Sequence, residues 1–330
     1  MPIDVEIENI ILKKNIVKAR NESVNESTRF IKEAKKYFKS TFKIQYALAI
    51  EYINTFFLES FNKIKGTNYN SMEEIPNVYL IKSEIKEITE LINKYTVYWF
   101  QINSIHDGDL YFTRNKTNNR IDTNLTGLKS EFRKFIYGSD KKIHIDIKNS
   151  QPFILGLTLR GDTTLNQEEL IRYIELTSSG MFYERMVDEC RLATGKNCTR
   201  KEIKEMMFCI LYSKNDSYRN KKMIMQKLFP SINKHINDRK KNDHTLLSID
   251  MQKLEASISI DNICKKLYDL GISYYTIHDS WVIDEKYYDL VVNTVLDSFR
   301  TKFGIVPTLD SKYLNGKGFR TQEKDLFGHE

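Results

Sequence analysis

A chain of 330 residues with 41% apolar and 12% aromatic content can bury a substantial core, in one large domain or in two to three lobes, which excludes an intrinsically disordered protein. Lys and Arg outnumber Asp and Glu by 51 to 44, and the net charge of +7 suits a polyanionic partner, nucleic acid first among them. Cys190, Cys198, Cys209 and Cys264 form no C-x-x-C pair and have no His at zinc-ligand spacing, so they indicate neither a disulfide framework nor a zinc site and point to a reducing, cytoplasmic setting. The opening "MPIDVEIENIILKKN" lacks the basic start and apolar core of a signal peptide, and no run approaches about 18 apolar residues, so no membrane segment is expected. Residues from about Asn25 to Lys65 and from Met72 to Gln101 carry apolar positions at helical period, broken by Gly66-Thr67-Asn68. The first hundred residues therefore read as mostly helical.

A polar, Asn-rich loop follows at 113–127, then a short helical piece, "LKSEFRKFIYG". In "KKIHIDIKNSQPFILGLTL" the pattern changes to period two: Ile143, Ile145 and Ile147 alternate with His144, Asp146 and Lys148. That is a half-buried strand with Asp146 pointing away from the isoleucine face. Helical patterning returns after Pro152, interrupted near Gly161, Gly180 and Gly195. Near the end, "SYYTIHDSWVID" reads as two strands, Ser273 to Ile277 and Trp281 to Ile283, joined at His278-Asp279-Ser280, and a last helix runs from about Tyr287 to Phe303. Strands interleaved with helices, the two clearest strands each bearing an Asp, predict an α+β domain on an antiparallel sheet.

An Asp in a turn is ordinary turn chemistry when it stands alone. Asp279 gains meaning from Asp146 and from the segment between them, "TRKEIKEMMFCILYSKN". Arg200, Lys204, Phe208 and Tyr212 recur every four residues, so on a helix they share one side, while Ile203, Met207 and Ile210 form an adjacent apolar stripe for packing. The core accounts for the second stripe but not the first. Two cations followed by two rings, one turn apart, match a nucleoside triphosphate: Arg and Lys neutralise phosphates, and the rings pack on base and sugar. The competing reading is an amphipathic helix with solvated basic residues and core aromatics.

Asp146 with Ser150 four residues on, the R-x-x-x-K-x-x-x-F-x-x-x-Y helix and the terminal His278-Asp279, in that order, resemble motifs A, B and C of the family A DNA polymerases. The single-subunit phage-type RNA polymerases share this superfamily pattern. "RIDTNL" from Arg120 resembles the family's Arg-containing segment before motif A, "RKF" at Arg133 its R-x-F, and "MQKLEA" at Gln252 its Gln segment before motif C; the whole spans roughly residues 108 to 305. The resemblance implies a right-hand polymerase: an antiparallel β palm in 108–330, helical fingers inserted at about 160–245, and a helical, thumb-like region in 1–107.

It further implies a template-directed nucleotidyltransferase using two Mg²⁺ ions, or Mn²⁺ in their place, held by Asp146, Asp279 and the Ile147 carbonyl. Lys204 would protonate the leaving pyrophosphate. Arg200 and Lys204 would bind the triphosphate, with Phe208, Tyr212 and Gln151 around sugar and base. Arg120, Arg133, Gln252 and His278 would contact the primer-template, DNA or RNA. No membrane partner is implied, and the oligomeric state is left open. Departures from the family pattern leave sugar choice unsettled. Gln151 stands where family A DNA polymerases usually carry a Glu that helps exclude ribonucleotides, Ser280 follows the Asp of motif C in place of Glu, and Ser213 replaces the Gly that commonly follows the motif B Tyr. Steric crowding by Gln151 and Tyr212 favours deoxynucleotides, and a DNA polymerase without a proofreading exonuclease is expected. An RNA polymerase or primase and a template-independent transferase are the alternatives. A metal-dependent nuclease would not need the Arg-Lys-Phe-Tyr helix, and a non-catalytic binding module would not need two carboxylates that repel phosphate.

Overall fold

A computed structural model describes residues 29–75, 82–195 and 197–319. The chain divides into two compact units: one holds the described residues up to Arg114 with Ile121–Lys142 and Tyr313–Gly318, the other Asn115–Arg120, Ile143–Lys312 and Phe319.

In the first unit, helix α1 (Arg29–Thr41) buries Phe30, Ile31, Ala34 and Phe38, and α2 (Tyr46–Lys65) buries Ala49, Ile53, Phe57 and Phe61, four residues apart throughout. That spacing puts one apolar stripe on each helix. The single helical stretch expected up to Lys65 is thus two helices, separated at Phe42–Gln45, and its first residues lie outside the described ones. Helix α2 stops at Gly66, whose left-handed backbone (φ 64°) lets its N–H return to the Asn62 carbonyl, a termination Gly makes at little steric cost. Helix α3 (Lys82–His106) packs on α2 through Phe57, Phe61, Ile88 and Leu91. It begins later than the expected Met72, because Met72–Glu74 form a 3-10 turn; 76–81 lie outside the described residues.

The stretch read as an Asn-rich loop holds an antiparallel hairpin, β1 (Phe112–Arg114) with β2 (Ile121–Thr123), and a one-turn helix α4 (Asn124–Gly127). Both strands are three residues long, too short to show a period. Residues 130–135 are 3-10 rather than α-helical.

The second unit is built on a four-stranded sheet in the order β4-β5-β3-β6, where β3 is Lys142–Ile147, β4 Tyr274–Ile277, β5 Ser280–Asp284 and β6 Leu309–Tyr313. β4 and β5 pair antiparallel in the register Tyr274↔Ile283 to Ile277↔Ser280, so Ser280 belongs to the strand and the turn is His278-Asp279 alone. His278 sits at φ 56°, a left-handed conformation costing a non-glycine residue about 1–2 kcal/mol. On the other flank of β3, Leu314 N–H donates to the Lys142 carbonyl (2.8 Å) and Lys148 N–H to that of Thr308 (2.9 Å). These bonds run the two strands in opposite directions and set Asp310 across from Asp146. Strand β6 was not visible in the periodicity.

Helices α5 (Ser150–Leu159), α6 (Gln167–Ser178), α7 (Phe182–Thr194), α8 (Arg200–Tyr212), α9 (Arg219–Leu228), α10 (Pro230–Arg239) and α11 (Leu246–Ile258) lie between β3 and β4. After α11 come one π-helical turn, Ser259–Cys264, and the short α12 (Lys265–Asp269); α13 (Tyr288–Phe303) follows β5. Among the described residues no helix is long and apolar enough to cross a membrane. Trp281 on β5, 0% exposed, donates its indole N–H to the Ser259 carbonyl (3.3 Å), tying the π turn to the strand that follows the Asp279 turn. Replacing Trp281 by Phe takes away that donor and leaves a void. We expect Trp281→Phe to cost about 2–3 kcal/mol, read as a lower urea midpoint at unchanged slope.

Candidate active site

Ile143, Ile145 and Ile147 are buried on one face of β3, as the alternation predicts, and Asp146 lies on the other. His144, expected on a solvated face, is buried too, so the strand is covered on both sides. The Ser280 hydroxyl donates to the Ile277 carbonyl (2.8 Å) and meets His144 Nε2 at 2.7 Å. Its one proton is committed to that carbonyl, so Nε2 carries the proton and donates to Ser280. This bond joins β3 to the strand that follows the Asp279 turn.

Asp146 and Asp279 line one cavity of about 510 Å³ in the second unit. Its walls also carry Ile147, Gln151, Arg200, Lys204, Phe208, Tyr212, His278 and Arg120. The structure thus gathers most of the residues singled out from sequence. Gln252 and Arg133 are not on its walls: Gln252 Oε1 accepts from Asn118 Nδ2 (3.0 Å), and Arg133 belongs to the first unit. Burial pushes the Asp146 carboxyl up to about 7, and the Asp279 charge adds to the effect. Lys312 offsets part of it, and Asp310, opposite Asp146 and on the same cavity wall, reinforces it. Like charges directly across a strand pair destabilise each other.

Helix α8 opens with a capping box in which Thr199 and Glu202 satisfy each other's backbone N–H groups. Ile203, Met206, Met207, Ile210 and Leu211 are buried, whereas Phe208 is 45% exposed. Phe208 and Tyr212 stack with ring centres 5.7 Å apart, and Lys204 Nζ lies 6.0 Å from the Phe208 ring centre. Arg200 Nε donates to Glu184 on α7 (2.7 Å), and its guanidinium lies 5.3 Å from the Tyr183 ring centre. At the far end of α8, buried Lys240 donates to the Ile210 carbonyl (2.6 Å); burial, with Lys222 nearby, lowers its ammonium to about 8.

One wall is a chain of hydrogen bonds. Arg120 forks onto Glu255, Nε to Oε1 and Nη2 to Oε2, both 2.7 Å. Gln151 Nε2 donates to the same Oε2 (2.7 Å), and the Tyr212 hydroxyl donates to Gln151 Oε1 (2.5 Å). Burial raises Tyr212 to about 12, and burial followed by the Asp279 charge raises Glu255 to about 7 against the pull of Arg120.

Sequence reasoning missed Glu255, Asp310 and Glu184. A signal for Glu255 was present: it falls on the buried stripe of α11, Leu247, Met251, Glu255 and Ile258, where an acid requires a partner. Asp310 sits in "LDSKY", whose alternation is too short to stand out, and Glu184 carries no pattern of its own.

Neither a protein-family model nor a curated protein matches the chain. Its fold is similar to the POL domain of Pol1 from M. smegmatis, solved in complex with DNA primer-template and dNTP, at a TM-score of 0.55 and 12% identity over 91% of this chain and 72% of that one. At that identity the likeness is one of fold.

With carboxyls at about 7 in the folded protein against 3.8 for Asp146 and 4.5 for Glu255 when free, the folded state holds protons that the unfolded chain has lost. Stability therefore falls as pH rises from about 4 to about 7. In chelator we expect the melting temperature to decline across this range, and Asp146→Asn to melt a few degrees above wild type at pH 8, at about 2–4 °C per kcal/mol.

Proposed function

We propose that the chain is a template-directed nucleotidyltransferase of the DNA-polymerase type. The observation that carries the reading is the shared cavity: two carboxylates, one on strand β3 and one at the β4–β5 turn of the same sheet, face a helix side bearing two cations and two stacked rings. The similarity in fold to a polymerase domain supports it. In this reading the four-stranded sheet is the palm, the helices between about 160 and 245 are the fingers, and the helices before residue 108 form the thumb-like region.

The donor set suits Mg²⁺, which is held by one or two carboxylates plus substrate phosphates rather than by an all-protein cage. Among the described residues no group of three or more His, Cys, Asp or Glu side chains is arranged to hold a metal ion. Asp146 and Asp279, with the Ile147 carbonyl, would hold two ions, and their repulsion is what a divalent cation relieves; when bound, the metal activates the attacking hydroxyl and neutralises the phosphates. Lys204 and Arg200 bind the triphosphate as point charge and fork, and Lys204 donates a proton to the departing pyrophosphate. Phe208 and Tyr212 pack against base and sugar, and Gln151 stands at the 2′ position. His278, in its strained turn beside Asp279, touches the primer end. Arg120 keeps three N–H donors beyond the two that hold Glu255 and directs them to the primer-template. Gln252 and Arg133, away from the cavity, serve the duplex further out. Deoxynucleotides are the favoured substrate.

Asp146→Asn and Asp279→Asn should each lower incorporation of labelled dNTP on a primed template by about 10³-fold or more while the fold persists by circular dichroism. Full activity in either variant would sink the reading. Arg200 is held by Glu184 before any triphosphate arrives, through an exposed pair worth at most about 1 kcal/mol. Glu184→Gln is therefore expected to lower the KM for nucleotide by up to about fivefold, whereas a raised KM would make Glu184 an orienting partner of Arg200.

A further inference from the structure

The bonds around Glu255 run in one direction only. Both Glu255 oxygens accept from the Arg120 fork, and Oε2 accepts from Gln151 as well, so the Gln151 atom that meets it at 2.7 Å is the amide nitrogen. The amide oxygen therefore faces Tyr212, whose hydroxyl donates to it. Gln151 is gripped at both ends, and its amide plane is set by Glu255 on α11 and Tyr212 on α8. Glu255 is in turn immovable: it is 1% exposed and both of its oxygens are held by the Arg120 fork.

This arrangement also accounts for the residue type at 151. A Glu in that place would press a second carboxylate against buried Glu255, with the fork of Arg120 already committed. A shorter or apolar side chain would leave a Glu255 lone pair and the Tyr212 hydroxyl without a partner. Only a neutral side chain with a donor at one end and an acceptor at the other closes the chain.

We propose that Glu255 is the positioning residue for sugar choice: by clamping Gln151 against Tyr212 it turns Gln151 into a fixed wall at the 2′ position, so that a ribose meets a surface that cannot turn aside. This rests on the nucleotidyltransferase reading above. A free glutamine in a cavity open to solvent would swing among rotamers and admit the extra hydroxyl; a clamped one must break a bond to the buried carboxylate to do so. The energy of discrimination is then stored in the clamp, and position 151 alone does not hold it.

The test is an exchange of the two ends. Q151E sets two carboxyl groups together, E255Q takes one acceptor away from Gln151 and the Arg120 fork, and Q151E/E255Q reverses the 151–255 bond, with the carboxylate at 151 accepting from the amide at 255 and from Tyr212 while Arg120 keeps its bond to the remaining amide oxygen. For each variant kcat/KM is measured for a dNTP and its matching NTP on a primed template with Mg²⁺, alongside the melting temperature. Q151E should lower the dNTP-over-NTP ratio by at least about tenfold, and the double variant should return it to within about threefold of wild type. Single-variant effects that multiply in the double overturn the proposal. So does a melting-temperature coupling without coupling in the ratio, because the clamp would then serve stability alone. Y212F removes only the hydroxyl end and keeps the test readable where Q151E fails to fold: the ratio should fall by about threefold or more, and an unchanged ratio overturns the proposal. A wild-type protein that incorporates neither nucleotide on any template refutes the nucleotidyltransferase reading itself and the sugar role with it, whereas the melting-temperature cycle still reports whether the clamp exists.

Discussion

Two carboxylates brought to one cavity repel each other, and the second unit is arranged to hold them there in spite of that. Asp146 is set near the end of β3, a strand interior to the sheet, where neighbours on both sides leave it no freedom to withdraw. Asp279 is set at a two-residue turn whose first residue takes a left-handed backbone. Asp310 adds a third negative charge across the strand pair. A fold selected for stability alone would relax each of these features, and their coincidence in one cavity sets it apart from the packed core around it.

A second charge problem is solved differently. Glu255 is the more deeply buried acid, and it is satisfied by a bidentate guanidinium and an amide. These donors offset part of the desolvation that raises its carboxyl to about 7. The same bonds connect the turn before β2, the start of α5, the end of α8 and the middle of α11. Segments distant in sequence are thus held in register by one side chain. A few residues beyond Glu255, the π turn widens the helix and its Ser259 carbonyl takes the Trp281 indole, which ties β5 to that turn.

Helix α8 shows how one segment serves two masters. Its buried stripe anchors it, Thr199 and Glu202 close its start, and Lys240 takes up a carbonyl in its last turn. The adjacent side is left open, with Phe208 half-exposed and stacked on Tyr212. Phe208 has no packing reason to stay half-exposed on this side, and with Lys204 near its ring it gives the cavity a face suited to a flat, anionic ligand.

Period and residue type in the sequence determined the elements with long, regular patterns: the helices of the first hundred residues, the alternating strand around Asp146, the hairpin bearing Asp279 and the two-sided helix α8. Those signals are local, and a local pattern survives without knowledge of what packs on it. The grouping of Asp146, Asp279 and the Arg200 to Tyr212 face was reached from sequence only through resemblance, since no spacing along the chain measures distance across a cavity. The three-residue strands β1 and β2 and the short β6 escaped because so few residues cannot display a period. Asp310 escaped with β6. Glu255 was visible only as an acid on an apolar stripe, and nothing local named its partners, because Arg120 and Gln151 lie more than a hundred positions away in sequence. Tertiary structure alone decided that this carboxylate would meet a guanidinium and an amide, since burial made its charge costly and only folding could bring the compensating donors to it.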